Sequence, residues 1–181
     1  MKKVNFAGSE DKVSAACLGS MMMGTLINKE DSYDILDDFL DKGGNFIDTA
    51  NCYSWWWGDE HSYGDHSENL LGDWMTQRKN RDKIFLATKF GGRIMNPESL
   101  RDDKGEIMWE KVLSEYEGSS RETIRAAIEG SLERLQTDYI DLYYVHIDDR
   151  KTPLEEILDE LSKLVKEGKV KHIGCSNMRT F

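Results

Sequence analysis

Residues 139–175, YIDLYYVHIDDRKTPLEEILDELSKLVKEGKVKHIGC, decide the fold. Tyr139 to Ile147 is an almost unbroken apolar run, the pattern of a parallel strand covered on both faces. Pro153 sits at a helix start, where its missing N–H would be unpaired anyway. Leu154, Ile157, Leu158, Leu161, Leu164 and Val165 predict the buried face of that helix, and Gly168 closes it. Val170 to Cys175 reads as the next strand. A strand, a helix and a strand in immediate succession form a crossover unit, which joins parallel strands in the right-handed sense.

The same unit recurs toward the N-terminus. Ser119 with Glu122 reads as a capping box ahead of the stripe Ile124, Ala127, Ile128, Leu132 and Leu135. Ile84 to Phe90 is a strand. Ser67 to Gln77 is helical, with Leu70, Leu71, Trp74 and Met75 inward. Asn45 to Ala50 is a strand, and Asp31 to Lys42 a helix with Ile35, Leu36, Phe39 and Leu40 on one face, ended by Gly43-Gly44. Cys17 to Ser20 is the first strand of the series. Ahead of it Lys3–Ala7 and Lys12–Ala16 predict a short hairpin turning at Gly8 to Asp11. Strict alternation predicts a single α/β domain over residues 1–181 with a parallel sheet. Two closures are open to it, a doubly wound sheet or a (β/α)8 barrel. The first strand-to-helix turn, Leu18 to Thr25, lacks GxGxxG, so the dinucleotide-binding sheet loses its main support. The expectation is a TIM-type barrel, truncated after about five βα strands, with the N-terminal hairpin before it. The long polar stretch Gly91 to Gly118 reads as a lid or pocket wall, with Met108 and Trp109 as contacts, or as a variable insertion.

The chain of 181 residues is long enough for a sizeable core. Its 24 Lys+Arg against 34 Asp+Glu give a net charge of −10, a surface that repels nucleic acid and anionic membranes. Neither is an expected partner. No apolar run approaches the ~18 residues of a spanning helix, and MKKVNFAGSEDK has no signal-peptide core. Cys17, Cys52 and Cys175 lack zinc spacing; His61 and His66 read as solvated, and with Asp65 they would suggest a metal but lack ligand spacing, so no metal is expected. Scattered unpaired thiols suit a reducing, cytoplasmic location.

The polar residues that stand out occupy one kind of place. Asp48 ends a strand and Tyr53 follows in its loop; Lys89 ends the next strand, His146 the one after, and Ser176-Asn177 follow the last. In a parallel barrel all these ends open onto one face, where active sites form. Taken singly, Asp48 reads as a turn cap, Tyr53 as a surface aromatic, Lys89 as a solvated terminus and His146 as a core histidine. Together they make a proton-transfer set. A lysine ammonium lowers the pKa of a nearby phenol, a carboxylate holds the ammonium, and a histidine donates a second hydrogen bond to a carbonyl oxygen. No side chain donates hydride, so a nicotinamide is implied. The run Trp55-Trp56-Trp57 beside Tyr53 reads as the wall of a substrate pocket for flat or apolar carbonyl compounds, or as a loop packed on Met21, Met22 and Met23.

These residues carry a family resemblance. GGNFIDTANCY (43–53), GDHSENLLGDW (64–74), FLATKF (85–90), DLYYVHIDD (141–149) and VKHIGCSN (170–177) resemble, in order and at compatible spacing, the motifs of the aldo-keto reductases. The closing stretch is similar to the branch that includes aryl-alcohol dehydrogenases and potassium-channel β-subunits. The resemblance implies an oxidoreductase that reduces aldehydes or ketones with NADP, NAD being the second choice. It implies Asp48, Tyr53, Lys89 and His146 as the catalytic set and Ser176 and Asn177 on the nicotinamide carboxamide. KVSAACLGSMMMG (12–24) resembles the first-strand segment and places Gly19, Ser20 and Met21, with Asp48, near the cofactor.

A barrel of this type needs ~250 residues. Strands six to eight, which in the family bring further cofactor-binding groups, have no counterpart here. Two sheet edges are then open and invite self-association. The alternative to an enzyme is a truncated or inactive family member that binds or regulates. A Schiff base on Lys89 is a third reading, ranked last because it does not require Tyr53.

Overall fold

The computed structural model describes residues 1–57 and 62–178. His61 lies outside them. In chain order the elements are β1 (Lys3–Asn5), β2 (Lys12–Ser14), β3 (Cys17–Gly19), α1 (Lys29–Asp41), β4 (Phe46–Asp48), α2 (His66–Arg78), β5 (Phe85–Phe90), α3 (Arg121–Leu135), β6 (Ile140–Val145), α4 (Leu154–Lys166) and β7 (Val170–Cys175). Strands β3 to β7 form one parallel sheet in sequential order, and β1 and β2 pair antiparallel as a separate hairpin. A doubly wound sheet would reverse its strand order at a switch point. No reversal occurs here, so the sheet is an arc of a (β/α)8 barrel.

The two faces of the arc bury different things, as strand alternation requires. Ile47, Leu86, Phe90 and Tyr143 face outward and join Leu36, Leu71, Trp74, Ile124, Ile128, Leu161 and Leu164 of the four helices in the main core. Phe46, Phe85, Ala87, Leu142 and Tyr144 face inward, where Val13 and Phe6 of the hairpin cover them. Phe6 packs on Phe85 with ring centroids 4.8 Å apart and meets Phe46 edge-on at 6.1 Å. His172 on β7 stacks on Phe85 at 5.9 Å and reaches Asp11 of the hairpin at 2.6 Å. The hairpin thus closes the floor of the arc, and the C-terminal strand ends are left as the rim.

Several boundaries shift for local reasons. The hairpin strands are shorter than their sequence pattern, because pairing stops at Asn5 and Ser14. α1 starts at Lys29, since the Asn28 side chain accepts the Asp31 N–H at 2.9 Å. Its buried residues are Ser32, Tyr33 and Leu36, while Ile35 is exposed. The cap of α3 is Ser120, whose side chain accepts from the Thr123 N–H, and not Ser119. Ser119 is buried, with its N–H held by Asp149 at 2.8 Å. On α4 only Ile157, Leu161 and Leu164 of the expected apolar face are buried; Leu154, Leu158 and Val165 lie on the flank of the stripe and are exposed.

The stretch 91–118 is ordered. It carries 3-10 turns at Pro97–Leu100 and Trp109–Ser114 and bridges joining Ile94 to Tyr116 and Arg101 to Ile107. Ile94, Leu100 and Val112 form a small core of its own around Trp55.

Candidate active site

Strand register fixes the floor of the site. Asp48 lies level with Gly19 on one side and Ala87 on the other, and Lys89 lies level with Tyr144. Alternation along β5 turns Lys89 inward, between the outward Thr88 and Phe90. Lys89 is buried, and its ammonium spends all three protons within the fold: on Asp48 Oδ1 at 2.5 Å, on the Thr49 carbonyl at 2.6 Å and on the Tyr53 hydroxyl at 2.6 Å. The Tyr53 hydroxyl in turn lies 3.4 Å from Asp48 Oδ1. His146 meets the Tyr53 ring at right angles, centroids 5.8 Å apart. Four residues spread over 99 positions of the chain therefore share one spot on the rim.

The loop that carries Tyr53 is tied down from several sides. The Asn51 N–H donates to the Lys89 carbonyl at 3.2 Å. Asn51 Nδ2 donates to Glu117 Oε1 at 2.8 Å. The same Glu117 oxygen accepts the Gly91 N–H at 2.6 Å and the Arg93 N–H at 3.4 Å. Arg93 pairs with Asp65 and reaches the Asn51 carbonyl at 3.2 Å. Ser54 Oγ donates to the Met21 carbonyl at 2.5 Å. Beneath the site Glu68, fully buried, accepts from Thr88 Oγ1 at 2.6 Å and from Arg134 Nε at 2.7 Å.

Protonation follows burial more than neighbouring charge. Burial, and after it the Asp48 carboxylate, push the Tyr53 hydroxyl above the ordinary range of a phenol. The sequence led us to expect the opposite direction, from the lysine alone. Burial, and after it the Lys89 charge, bring the His146 imidazole down to about 4. At neutral pH the set holds a protonated phenol and a neutral imidazole. That is a proton donor and a hydrogen-bond donor facing one another.

The other residues singled out by sequence fall in three groups. Gly19 stands on the same face with open space where a Cβ would be, and Met21 is exposed. Ser20 is buried: its hydroxyl donates to the Asp48 carbonyl at 2.9 Å and touches Ser67 Oγ at 2.8 Å, so it braces β4 against α2. Ser176 is half-buried at the end of β7 and Asn177 exposed, with Asn177 Nδ2 on the His146 carbonyl at 2.9 Å and Ser176 Oγ at 3.1 Å. Trp55 is buried in the core of the 91–118 stretch, Trp56 is half-buried against it, and Trp57 is exposed. Trp109 packs on Trp55 at 6.0 Å. A cavity of about 530 Å³ opens beside the site, lined by Gly91, Tyr116, Glu117, Ile147, Asp148 and Asn177 among others. None of the four clustered residues lines it.

Sequence reasoning did not single out the Thr49 carbonyl, Glu117 or Cys52. Cys52 is buried, with Sγ 3.4 Å from His146 Nδ1. Among the described residues no group of three or more His, Cys, Asp or Glu is placed to hold a metal ion, and no helix is long and apolar enough to cross a membrane.

Residues 15–180 match the model of the aldo/keto reductase family. The chain is 40% identical over 175 residues to a norsolorinic acid reductase of Emericella nidulans, a match covering 92% of this chain and 40% of that protein. It is 39% identical over 155 residues to a probable aryl-alcohol dehydrogenase of Saccharomyces cerevisiae, covering 86% of this chain and 41% of that one. The fold is similar to that of an aldo-keto reductase of Bacillus halodurans in its holo form, with a TM-score of 0.74 at 30% identity, over 99% of this chain and 51% of that one. The chain thus spans about 40% of the length of the curated relatives it matches. Residues matched almost end to end and a shared barrel arc give one conclusion: the chain belongs to the aldo/keto reductase family.

Proposed function

We propose that this chain carries the proton-transfer half of an NADP-dependent reductase of aldehydes and ketones. The observation that supports it most is the contact of the Tyr53 hydroxyl with Lys89 Nζ at 2.6 Å, beside Asp48 and edge-on to His146. In this reading Tyr53 is the general acid. Its phenol is held protonated, and an alkoxide is far more basic than any phenol, so transfer to a newly formed alkoxide runs downhill. Lys89 stabilises the phenolate left behind. Asp48 and the Thr49 carbonyl fix the ammonium, and His146 holds the substrate oxygen beside Tyr53 by a second hydrogen bond. All three Lys89 protons have acceptors within the fold, which favours this role over a nucleophilic amine forming a Schiff base.

The residues at the rim suit a nicotinamide. Gly19 leaves open space on the inner face, and Ser176 and Asn177 offer a hydroxyl and an amide to a carboxamide. When bound, the nicotinamide supplies the hydride. NADP is our assignment from family habit, with NAD second. The substrate we assign is a flat or apolar carbonyl compound, on the strength of Trp56 and Trp57 three and four residues after Tyr53 in the same loop and of the norsolorinic acid reductase and aryl-alcohol dehydrogenase among the relatives. Free thiols at Cys17, Cys52 and Cys175 suit the cytoplasm. The unpaired sides of β3 and β7 are where a further strand, or a second copy, would add.

The test is Tyr53→Phe in the protein expressed from its own gene, assayed with an aromatic aldehyde and NADPH. Turnover is expected to fall by roughly 10²–10⁴-fold, the worth of a general acid, with NADPH binding by fluorescence titration unchanged. Undiminished turnover overturns the reading. Binding of NADPH without reduction of any aldehyde by the parent would favour a binding or regulatory protein.

A further inference from the structure

Cys52 stands between two residues of the site and has no part in the proton transfer just described. It follows Asn51 in the Tyr53 loop, it is buried, and its Sγ lies 3.4 Å from His146 Nδ1. Gly92, in the loop after β5, makes that approach possible: a Cβ there would come within 3.2 Å of both the Cys52 sulfur and His146 Nδ1. Three loops, after β4, β5 and β6, thus meet to bring one thiol to one imidazole nitrogen. The other nitrogen, Nε2, has no partner among the described residues.

We propose that Cys52 is a positioning residue that sets the tautomer of His146: its S–H donates to Nδ1, so the ring proton resides on Nε2 and is available to the substrate oxygen. This rests on the reductase reading for its purpose, though not for its geometry.

Two properties, together with the 3.4 Å contact, support this direction of the hydrogen bond. Burial pushes the Cys52 thiol up to about 12, so at working pH it is S–H and a donor. The imidazole is neutral there and carries a single proton, which must choose a nitrogen. A neutral thiol is a weak acceptor, whereas an imidazole nitrogen is a good one. The proton therefore leaves Nδ1 to the thiol's donation. With no donor at Nδ1, the ring is free to hold its proton on the wrong side, and the substrate oxygen meets a lone pair. Other groups facing the imidazole are Tyr53 and the Lys89 ammonium. Both direct their protons elsewhere, Tyr53 toward Asp48 and Lys89 to Asp48, the Thr49 carbonyl and Tyr53, so neither takes the place of Cys52 at Nδ1.

The test is nitrogen-15 NMR of the imidazoles in the parent, Cys52→Ala and Cys52→Ser proteins, with His146 assigned by His146→Gln. The parent is expected to show His146 protonated on Nε2 alone. Cys52→Ala is expected to show a mixture of both tautomers, and Cys52→Ser, which keeps a donor, to return toward the parent. With an aldehyde substrate, kcat of Cys52→Ala should fall about 3–10-fold with KM little changed, the equivalent of one ordinary hydrogen bond. A parent protonated on Nδ1, or a tautomer indifferent to Cys52→Ala, overturns the proposal. The NMR result is independent of turnover, so loss of the reductase reading through an active Tyr53→Phe protein would leave it standing.

Discussion

Lys89 Nζ touches the Tyr53 hydroxyl at 2.6 Å while its remaining protons are taken by Asp48 and the Thr49 carbonyl. The cation is therefore a structural member as well as a chemical one, since it neutralises a carboxylate that is only 23% exposed.

Lys89→Met removes that cation and leaves Asp48 charged and unpaired. Stability is expected to fall by about 3 kcal/mol, the lower end for breaking one side of a buried pair. Asp48→Asn in the Lys89→Met background should recover much of it, because no charge is then left stranded. Urea denaturation of the two variants against the parent checks this. Turnover should be lost in both.

The His146 imidazole gives a pH signature. Its pKa is about 4 in the fold against 6.5 in an unfolded chain. Between those values the unfolded chain holds the extra proton and the folded one does not. This contribution to stability is complete above about pH 6.5, declines as pH falls toward 4 and then levels off. The loss amounts to about 3 kcal/mol at most. His146→Gln lacks this component, so its urea midpoint should drop less than the parent's between pH 7 and pH 4.5. Equal drops would rule it out.

Glu117 offers a contrast between charge and geometry. All three of its donors, Asn51 Nδ2 and the N–H groups of Gly91 and Arg93, converge on Oε1. Burial raises its pKa, so the folded form holds the proton more tightly, and its contribution is most favourable at low pH and declines as pH rises through the folded value. Glu117→Gln keeps an acceptor for those donors and removes the buried charge. Its stability at pH 7 should stay within about 1 kcal/mol of the parent. Glu117→Ala orphans three donors and should lose several times more. Thermal melts of both variants decide it.

Gly72→Ala tests helix contact against helix propensity. Alanine in a helix interior is favoured over glycine by about 1 kcal/mol. Here an added Cβ would collide with the Arg134 carbonyl oxygen and come within 2.9 Å of the Leu135 carbonyl carbon. Backbone cannot rotate away as a side chain would, so α2 and α3 must part. The expected outcome is a net loss of about 1–3 kcal/mol, read as a lowered midpoint in urea.

The barrel arc was readable because its signal is periodic. Tyr139–Ile147 and the helix after Pro153 repeat a rule that each element obeys locally, and the missing GxGxxG took away the main support of the rival closure. Asp48, Tyr53, Lys89 and His146 were readable because strand ends of a parallel sheet converge by topology. What escaped depends on pairs remote in sequence and free of period. Trp55 meets Ile94, Leu100 and Val112 across a loop. Cys52 meets His146 across 94 positions. Glu68 meets Arg134 across 66 positions. The Tyr53 shift was misjudged in direction because a sequence displays the cation and hides the burial.

Asp11 and His172 join residues 161 positions apart, and Phe6 seats on strands β4, β5 and β7 together. That seat does not exist until β7 has joined the sheet, so the opening residues must wait for a strand far along the chain. Closing so long a loop is entropically slow and contributes nothing until it is complete. The N-terminal hairpin is therefore expected to dock late, once β7 has joined the sheet it covers.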